Sequence, residues 1–442
     1  MRHLTLLALF GAFALAPACS GGKDDDTATG DDDDDTAGDD DDVTGDDDDD
    51  TTVIGDDDDD TTVVDCSTRP TDIPTARGEI EGTFSPLSRQ FVFFGGDEGI
   101  PVNCSSQTDF VADTWLWEED CGNWRQVAGA QPSARARYAH GYDPVRDRFL
   151  IHGGRFRDGT SGNYTLNDEL WAYDFAAETW SQLATGGPSQ RAIHAGAVAG
   201  DRFVIFGGTG STDGLSYVPL YSDVWMFDLT SETWSELPTN GGPGGRVFHA
   251  VTSDGGDSLY VYAGGDENAF FGPFYAELWE LDLVTGDWAV IDDASAYKAP
   301  DPRIWPDLMY DESTGNLVMW AGHDDQAMGN TNQLYTWSFD GTGWNKLEQG
   351  DKLDAGSNGF CDFPADFVEI DDASPERRYG AAAAMTDDGR LLTFGGKTDC
   401  GIINDFWSYD LAATTWTMHL RATDGESCVR AFDPASCSTL CF

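Results

Sequence analysis

The sequence predicts an all-β protein, a six-bladed propeller with four antiparallel strands in each blade. One pattern recurs six times between Arg77 and Trp416: an arginine, a pair of small residues 16 to 18 positions later, and an aromatic hairpin closed by tryptophan. The repeats have periods of about 54 to 58 residues, which is typical of propeller blades. Such blades bury their aromatic faces only against neighbouring blades.

The first two strands of each blade, a and b, form a hairpin. Strand a follows the repeated arginine, for which we take Arg137, Arg191, Arg246, Arg303 and Arg378. Strand b is a short apolar run that ends at the small pair, where glycine lets two backbones approach closely. The pairs are Gly95–Gly96, Gly153–Gly154, Gly207–Gly208, Gly264–Gly265, Ala321–Gly322 and Gly395–Gly396.

Strands c and d form the second hairpin. Strand c opens with an acid or amide, one further residue and an aromatic, as in Asp223-Val-Trp225. Alternating aromatics put both rings on one face of the strand. Nine residues beyond each opening aromatic stands the tryptophan of strand d: Trp124, Trp180, Trp234, Trp288, Trp344 and Trp416.

Four short motifs resemble the kelch family of β-propellers: Arg191-x-x-His194, Phe206-Gly-Gly208, Trp225-Met-Phe-Asp228 and Glu232-Thr-Trp234. The resemblance covers roughly residues 77 to 420, within a propeller domain that we place at 66–427. It implies the fold strongly and the function weakly, because this fold hosts many activities. The expected blades are 77–128, 137–184, 191–238, 246–292, 303–348 and 378–420.

Residues 1–18 predict an export signal, an apolar stretch too short to span a membrane. Ala16-Pro17-Ala18 suits an ordinary signal peptidase, which would leave a secreted protein. Alternatively, Cys19 followed by Ser20 resembles the lipidated first residue of a bacterial outer-membrane lipoprotein, although the lipobox is imperfect. We expect lipidation at Cys19, and hence an exported protein of the outer membrane or cell surface.

Residues 19–65 predict a disordered acidic linker. From residue 20 this segment holds 23 Asp and one Lys, so it supplies −22 of the formal net charge of −55. So few apolar groups cannot offset the entropy of ordering, and the like charges extend the chain. We expect a tether, or alternatively a weak Ca²⁺ sponge, and no other cofactor is evident. The remaining −33 argues against nucleic-acid partners, which need Lys and Arg.

Eight cysteines remain when Cys19 is set apart, an even number that can pair completely. We expect disulfides between the chain ends or adjoining loops to help close the ring, with 428–442 as a cysteine-rich tail. Cys121 lies in a c to d turn and fits this scheme poorly. The candidates are Cys66, Cys104, Cys121, Cys361, Cys400, Cys428, Cys437 and Cys441.

Strand parity places the long b to c and d to a connections on one face of the ring, and the short a to b and c to d turns on the other. Function usually sits on elaborated loops held by a rigid scaffold, so we expect a ligand on the long-loop face. Aromatic side chains there could stack on sugars or anchor a protein, unless they fold back onto the loop's own core. The candidate residues are Phe270, Phe271, Phe274, Tyr275, Tyr217 and Tyr221, with Arg155 and Arg157 for an anionic ligand.

Histidines and catalytic motifs point to no reaction. His140, His194 and His249 each stand three residues after an arginine, which indicates a structural role on strand a. No spacing predicts a metal site, and neither G-x-S-x-G nor H-E-x-x-H occurs. We therefore nominate no catalytic residue.

These observations favour a monomeric, non-catalytic module that binds a protein or glycan and meets the membrane only through its lipid anchor. A carbohydrate-active enzyme of epimerase, oxidase or lyase type is one alternative. A structural component of the cell envelope is another.

Overall fold

The computed structural model describes residues 66–68, 70–99, 108–159, 161–214, 216–268, 272–324, 329–350, 372–398 and 401–423. The chain divides into two compact units, Met1–Thr68 and Arg69–Phe442. In the first unit the described part is a 3₁₀ helix, Cys66–Thr68. The predicted signal, Cys19, the acidic linker and the cysteine-rich tail lie outside the described residues.

The second unit is built from four-stranded antiparallel sheets in which sequence neighbours pair. Strand b, as in Arg202–Phe206, is buried almost throughout, because it is covered by other sheets on both faces. Strand d is more exposed, and in Thr233–Leu237 it alternates between exposed and half-buried positions. The strands run as follows: Gly82–Ser85, Gln90–Phe94, Thr114–Glu118 and Asn123–Gln126; Ala139–Asp143, Arg148–His152, Glu169–Asp174 and Thr179–Thr185; Ala195–Ala199, Arg202–Phe206, Val224–Asp228 and Thr233–Leu237. The remaining three sheets are Ala250–Ser253, Ser258–Tyr262, Leu278–Asp282 and Trp288–Asp292; Asp307–Asp311, Asn316–Trp320, Leu334–Ser338 and Gly343–Glu348; Ala382–Met385, Arg390–Phe394, Phe406–Asp410 and Thr415–Leu420.

Short two-residue strands extend the loops beyond these sheets. They are Arg155–Phe156, Thr165–Leu166, Arg303–Ile304, His323–Asp324, Gly329–Asn330, Arg378–Tyr379, Lys397–Thr398 and Gly401–Ile402. They pair the start of strand a with the b to c connection, as Arg303 with Asp324 and Arg378 with Thr398.

The sheets form a closed ring. Each strand a contacts the strands a of the two neighbouring sheets, and the sixth contacts the first. Strand a is therefore innermost and lines a central channel. The predicted all-β propeller is confirmed.

The seam between the sixth and first blades is closed without a borrowed strand in the described residues. Phe93 and Phe394 stack across it with ring centroids 4.6 Å apart. Asn404 Nδ2 donates a hydrogen bond to the carbonyl of Pro74 at 3.0 Å. Two of the disulfide candidates, Cys66 and Cys121, are described, and both belong to disulfide bonds. The other six lie outside the described residues.

The repeated arginine clamps each blade together. In blade 3, Arg191 Nη1 donates to the carbonyl of Gly207 at 3.1 Å and to Asp223 Oδ1 at 2.7 Å. The guanidinium thus ties the start of strand a to the small pair and to the acid that opens strand c. The six arginines that bond the first carbonyl of a small pair are Arg77, Arg135, Arg191, Arg246, Arg303 and Arg378.

This geometry corrects two assignments in the repeat. The arginine of the second blade is Arg135, which reaches the Gly153 carbonyl at 3.1 Å, and not Arg137. The small pair of the fourth blade is Ala263–Gly264, because Arg246 Nη1 donates to the Ala263 carbonyl and Ala263 has the left-handed φ of 63°. Both predictions were wrong by one or two positions, because a residue of the same type stands nearby: a second arginine at 137 and a second glycine at 265.

The expected equivalence of three histidines fails for the same reason. His194 and His249 do follow their blade arginines by three residues and are buried. His249 Nε2 lies 3.1 Å from the carbonyl of Phe206, and His194 Nε2 lies 2.9 Å from His152 Nδ1. His140 instead follows Arg135 by five residues and points toward the channel beside Glu81.

Candidate binding face

The b to c connections meet the starts of the innermost strands at one end of the ring. Isolated bridges join them in successive blades, as Gly78 with Asp97, Ala136 with Arg155 and Ala192 with Thr209. This end is the long-loop face. It carries the loops on which we expected a ligand.

Six equivalent residues close the ring at this face, each two positions after its blade arginine. All adopt left-handed backbone angles, with φ between 56° and 61°. Main-chain hydrogen bonds join neighbours, from Arg137 N to the Glu79 carbonyl at 3.3 Å and from Ile193 N to the Arg137 carbonyl at 2.9 Å. Trp305 N donates to the Phe248 carbonyl at 2.6 Å. We call Glu79, Arg137, Ile193, Phe248, Trp305 and Gly380 the stopper ring.

Aromatic side chains fill the middle of the stopper ring. Phe248 and Trp305 lie with centroids 4.6 Å apart, and Trp305 lies 5.2 Å from Tyr379. The Arg137 guanidinium covers both rings, at 5.2 Å from Phe248 and 4.8 Å from Trp305. The channel is therefore blocked at this end by packed side chains.

A buried ion network anchors Arg137. Arg137 Nε lies 2.5 Å from Glu79 Oε2, and Lys397 Nζ lies 2.7 Å from Glu79 Oε1. Burial alone would raise the pKa of the Glu79 carboxyl, but Arg137 and Lys397 outweigh it and hold that pKa well below its usual range. Asp97 adds a second carboxylate, 3.2 Å from Lys397 Nζ. Glu79 is thus ionised at any physiological pH.

The predicted aromatic residues divide into buried and half-buried groups. Tyr217 and Phe274 are 7% and 8% exposed and pack in one cluster with Phe248 and Trp305. Tyr221 and Tyr275 are half-buried, and their rings cover the blade arginines Arg191 at 4.3 Å and Arg246 at 4.6 Å. Phe270 and Phe271 lie outside the described residues.

The predicted basic residues converge on one tyrosine. The guanidinium of Arg155 lies 3.9 Å from the centroid of Tyr164, and that of Arg157 lies 4.5 Å from it. Arg155 is buried and lies 3.7 Å from Glu79. Arg157 is half-buried and donates to Thr108 Oγ1 at 3.1 Å. The structure therefore brings both arginines to the edge of the stopper ring.

Sequence reasoning missed the stopper ring itself. Its members are an acidic residue, a basic residue, an aliphatic residue, two aromatic residues and a glycine. No common residue type therefore identifies this position in the sequence. The signal is positional, two residues after each blade arginine, and it depends on the correct register at Arg135.

The part of the chain that the structure describes contains no group of three or more His, Cys, Asp or Glu side chains arranged to hold a metal ion. It also contains no helix long and apolar enough to cross a membrane.

Comparison with known proteins gives one family match and several relatives. The family model of the KLHDC2/KLHL20/DRC7 Kelch-repeats domain matches residues 81–303. The leucine-zipper-like transcriptional regulator 1 homolog of Drosophila melanogaster is 26% identical over 301 residues, which are 66% of this chain and 27% of that protein. Kelch domain-containing protein 10 of Homo sapiens is 25% identical over 304 residues, 67% of this chain and 61% of the relative.

An enzyme also appears among the relatives. The N-(sulfonatooxy)prop-2-enimidothioate sulfolyase of Thlaspi arvense is 30% identical over 185 residues, 39% of this chain and 49% of the enzyme. The chain thus spans less than two thirds of the length of each of these three relatives.

Proposed function

Because the chain belongs to the kelch-repeat family of β-propellers, we propose that it is a binding module that recognises a protein partner through its long-loop face. Kelch propellers suggest protein binding or scaffolding at the level of the family. Our more specific proposals concern which surface of the propeller contacts the partner and in which cellular compartment the protein works.

Three half-buried side chains around the stopper ring carry the proposal, and we call Arg157, Tyr221 and Tyr275 the rim. Each of them has one face packed against a neighbouring arginine or tyrosine. Side chains fixed in this way lose little conformational entropy on binding. Arginine and tyrosine are also the residue types that most often dominate the binding energy of interfaces. The rim therefore supports recognition of a partner that offers carboxylates and apolar side chains.

We also propose that this module works outside the cytoplasm, attached to a membrane through a lipid on Cys19. The export signal, Cys19 and the disulfide state of Cys66 and Cys121 support that placement. Intact-mass measurement of the mature protein would show the mass of the acyl chains on Cys19. A mature chain with unmodified Cys19 would refute the anchor and leave a secreted module.

The experiment that tests the binding face is photo-crosslinking in the native cells with benzoylphenylalanine placed at either end of one blade. Tyr275 lies on the rim, whereas Val284 is 69% exposed in the c to d turn of the same blade. We expect a discrete crosslinked protein from position 275 and none from position 284. Adding Arg157→Gln should lower the yield at position 275 at least threefold. Equal products from both positions would contradict the proposal.

The same samples address the rival ligands and functions. A crosslinked product that contains no second protein, and whose mass falls on deglycosylation, would indicate a glycan ligand in place of a protein. The relation to the sulfolyase of Thlaspi arvense keeps a lyase-type enzyme as the alternative. Turnover of a candidate substrate that is unaffected by Arg157→Gln would favour that alternative.

A further inference from the structure

The channel inside the ring is a blind funnel that opens on the face opposite the stopper ring. An inner cavity of 60 Å³ lies against Arg137, Ile193, Phe248 and Trp305. An outer cavity of 260 Å³ continues from it to the a to b turns, sharing residues such as His140 and Met309 with the inner one. The inner cavity alone has room for roughly four waters.

One level of the inner cavity carries two carboxylates among alanines. The position four residues after the blade arginine lines the inner cavity in four blades. It is alanine in two of them, Ala195 and Ala250, and acidic in the other two, Glu81 and Asp307. In the remaining two blades the position is alanine and is packed in a hydrophobic core cluster. These two acids come from the first and fifth blades, so they approach each other across the ring. Both residues line the inner cavity, and burial, together with the nearby Asp307, raises the pKa of the Glu81 carboxyl well above its ordinary value.

In the part of the chain that the structure describes, no Lys or Arg neutralises these carboxylates, and the Asp307 side chain has neither a hydrogen bond nor an ion pair. Glu81 has one polar neighbour, His140 Nδ1 at 3.3 Å. Burial lowers the pKa of His140 to about 4, so that imidazole is neutral at physiological pH. The neighbouring His194 and His249 are also neutral, because burial lowers the pKa of His194 well below its ordinary value and that of His249 to about 3.

Arg137 lies at the bottom of the funnel, but its positive charge is paired with another carboxylate. Its Nε and Nη2 atoms both bond Glu79, which lies in the stopper ring. Tyr138 also lines the inner cavity, and its hydroxyl donates to the Phe94 carbonyl at 2.6 Å. The two carboxylates at the level above therefore lack a counter-charge.

The funnel alternates between acidic and apolar levels. Above the inner acids, Val251, Leu308, Met309 and Ala383 line the segment shared by both cavities. At the mouth stand Glu312 and Asp387. Asp307 and Glu312 are five residues apart along one strand and its turn, which corresponds to roughly 16 Å. Tyr142 and Tyr310 lie between these levels.

A hydroxyl in the outer cavity is available to a ligand. The residue that carries it, Thr83, is 7% exposed and lines this cavity. Among the described residues its side chain has no hydrogen-bond partner, and its oxygen is open to the cavity. It can therefore accept a hydrogen bond from a ligand with N–H donors along its length.

We propose that the funnel binds a linear aliphatic polyamine, with one terminal ammonium between Glu81 and Asp307 and the other near Glu312 and Asp387 at the mouth. The methylene segments then contact the apolar level between the two acidic ones. The acidity of the propeller, which carries most of the −33 outside the linker, would draw such a cation to the mouth. This site is separated by the stopper ring from the face proposed to bind a protein, so either proposal can fail without the other.

The test is the thermal unfolding midpoint of the full chain, followed by near-ultraviolet circular dichroism, during titration with spermine at pH 8 and 150 mM salt. A ligand that binds only the folded state raises the midpoint, whereas spermine on the acidic linker binds folded and unfolded chains alike. We expect a saturable rise of several degrees for the parent protein. Butane-1,4-diol, which is uncharged, should give none.

Variants locate the effect. Asp307→Asn, which keeps the shape of the side chain, should reduce the spermine-dependent rise at least threefold, and Glu312→Gln should reduce it less. Glu236→Gln removes one charge from the exposed face of a strand d outside the funnel and should leave the rise unchanged. If Asp307→Asn does not fold, Glu81→Gln replaces it.

Burial raises the pKa of Asp307 to about 8 and the pKa of Glu81 well above its ordinary value, so both carboxyls must lose their protons to hold the ammonium. The rise should therefore be smaller at pH 6 than at pH 8. Three results would overturn the proposal. They are no rise with spermine, an equal rise in Asp307→Asn and the parent, and an equal rise with MgCl₂ at matched charge, which would indicate diffuse screening of an acidic body.

Discussion

At the scale of single residues, the blade arginines resolve a conflict between burial and charge. Arg378 is fully buried, and its two Nη atoms bond the two oxygens of Asp405 at 2.6 and 2.7 Å. A buried charge is tolerated only when it is paired and hydrogen-bonded. The arginine is therefore a structural residue, although its type alone could suggest an anion site.

Replacing Arg378 with methionine should lower the free energy of unfolding by about 3 to 5 kcal/mol, because the Asp405 carboxylate would stay buried without its partner. The matched control is Arg202→Met. Arg202 pairs with an exposed carboxylate, Asp257, at 2.6 Å, so its loss should cost about 0 to 1 kcal/mol. Urea unfolding of both variants measures the difference. Equal losses would show that the arginine clamp contributes no more than a surface pair.

Asp307 makes stability depend on pH. Burial raises the pKa of its carboxyl to about 8 in the folded protein, whereas an unfolded aspartate titrates near 4. Between these values the folded state holds a proton that the unfolded state has lost. The free energy of unfolding therefore falls as the pH rises from about 4 to about 8.

Asp307→Asn cannot ionise and should remove the part of that fall that Asp307 causes, whereas Glu81, whose pKa burial also raises, keeps its own part. We expect the variant to exceed the parent by at least about 1 kcal/mol at pH 9 and to match it closely at pH 4. Denaturant unfolding at pH 4, 6 and 9 measures this difference. A constant offset at all three pH values would contradict the reasoning, and Glu236→Gln serves as the control for loss of one charge.

At the scale of elements, the small pair that ends each strand b needs a left-handed residue at its first position. Glycine fills this position in four blades, whereas Ala263 and Ala321 fill it with φ values of 63° and 57°. A Cβ in this conformation costs on the order of 1 kcal/mol. Both alanines therefore hold strain that the repeat geometry imposes.

Ala263→Gly should consequently raise the free energy of unfolding by up to about 1 kcal/mol, with some of the gain offset by greater freedom of the unfolded chain. Ala250→Gly, in the strand a of the same blade, is the control and should be destabilising, because strand a has ordinary backbone angles there. The thermal unfolding midpoints of both variants test the sign. A loss of stability in Ala263→Gly would show that the methyl group's packing outweighs its strain.

At the scale of the whole molecule, the sequence was sufficient for the ring of blades and insufficient for the register inside it. Tryptophans at a fixed offset from the aromatic of strand c predicted the hairpins, because burial between blades demands the same large side chain each time. Arg137 was mistaken for the blade arginine because Arg135, two residues earlier, has the same letter. The hydrogen bond from Arg135 to the Gly153 carbonyl distinguishes them.

The candidate sites were less accessible to sequence reasoning. The long-loop face followed from strand parity, but whether Tyr217 would point outward or into the Phe248 cluster depended on packing that no spacing encodes. In the amino-acid sequence, nothing distinguishes Glu81 and Asp307 from other charged residues. They become a pair only when the ring brings the first and fifth blades to face each other.

The stopper ring carries one more implication, for engineering. Its six members share a left-handed backbone conformation but no side-chain chemistry, and main-chain hydrogen bonds link five of them. The backbone there therefore does not depend on which side chains project into the middle. Replacing Phe248 and Trp305 with glycine, which accepts the left-handed conformation, would remove the aromatic packing from the middle and leave Arg137 and Tyr379 there. With those two side chains also shortened, the channel would run through the propeller as a pore, and its selectivity would be set by a few interchangeable residues.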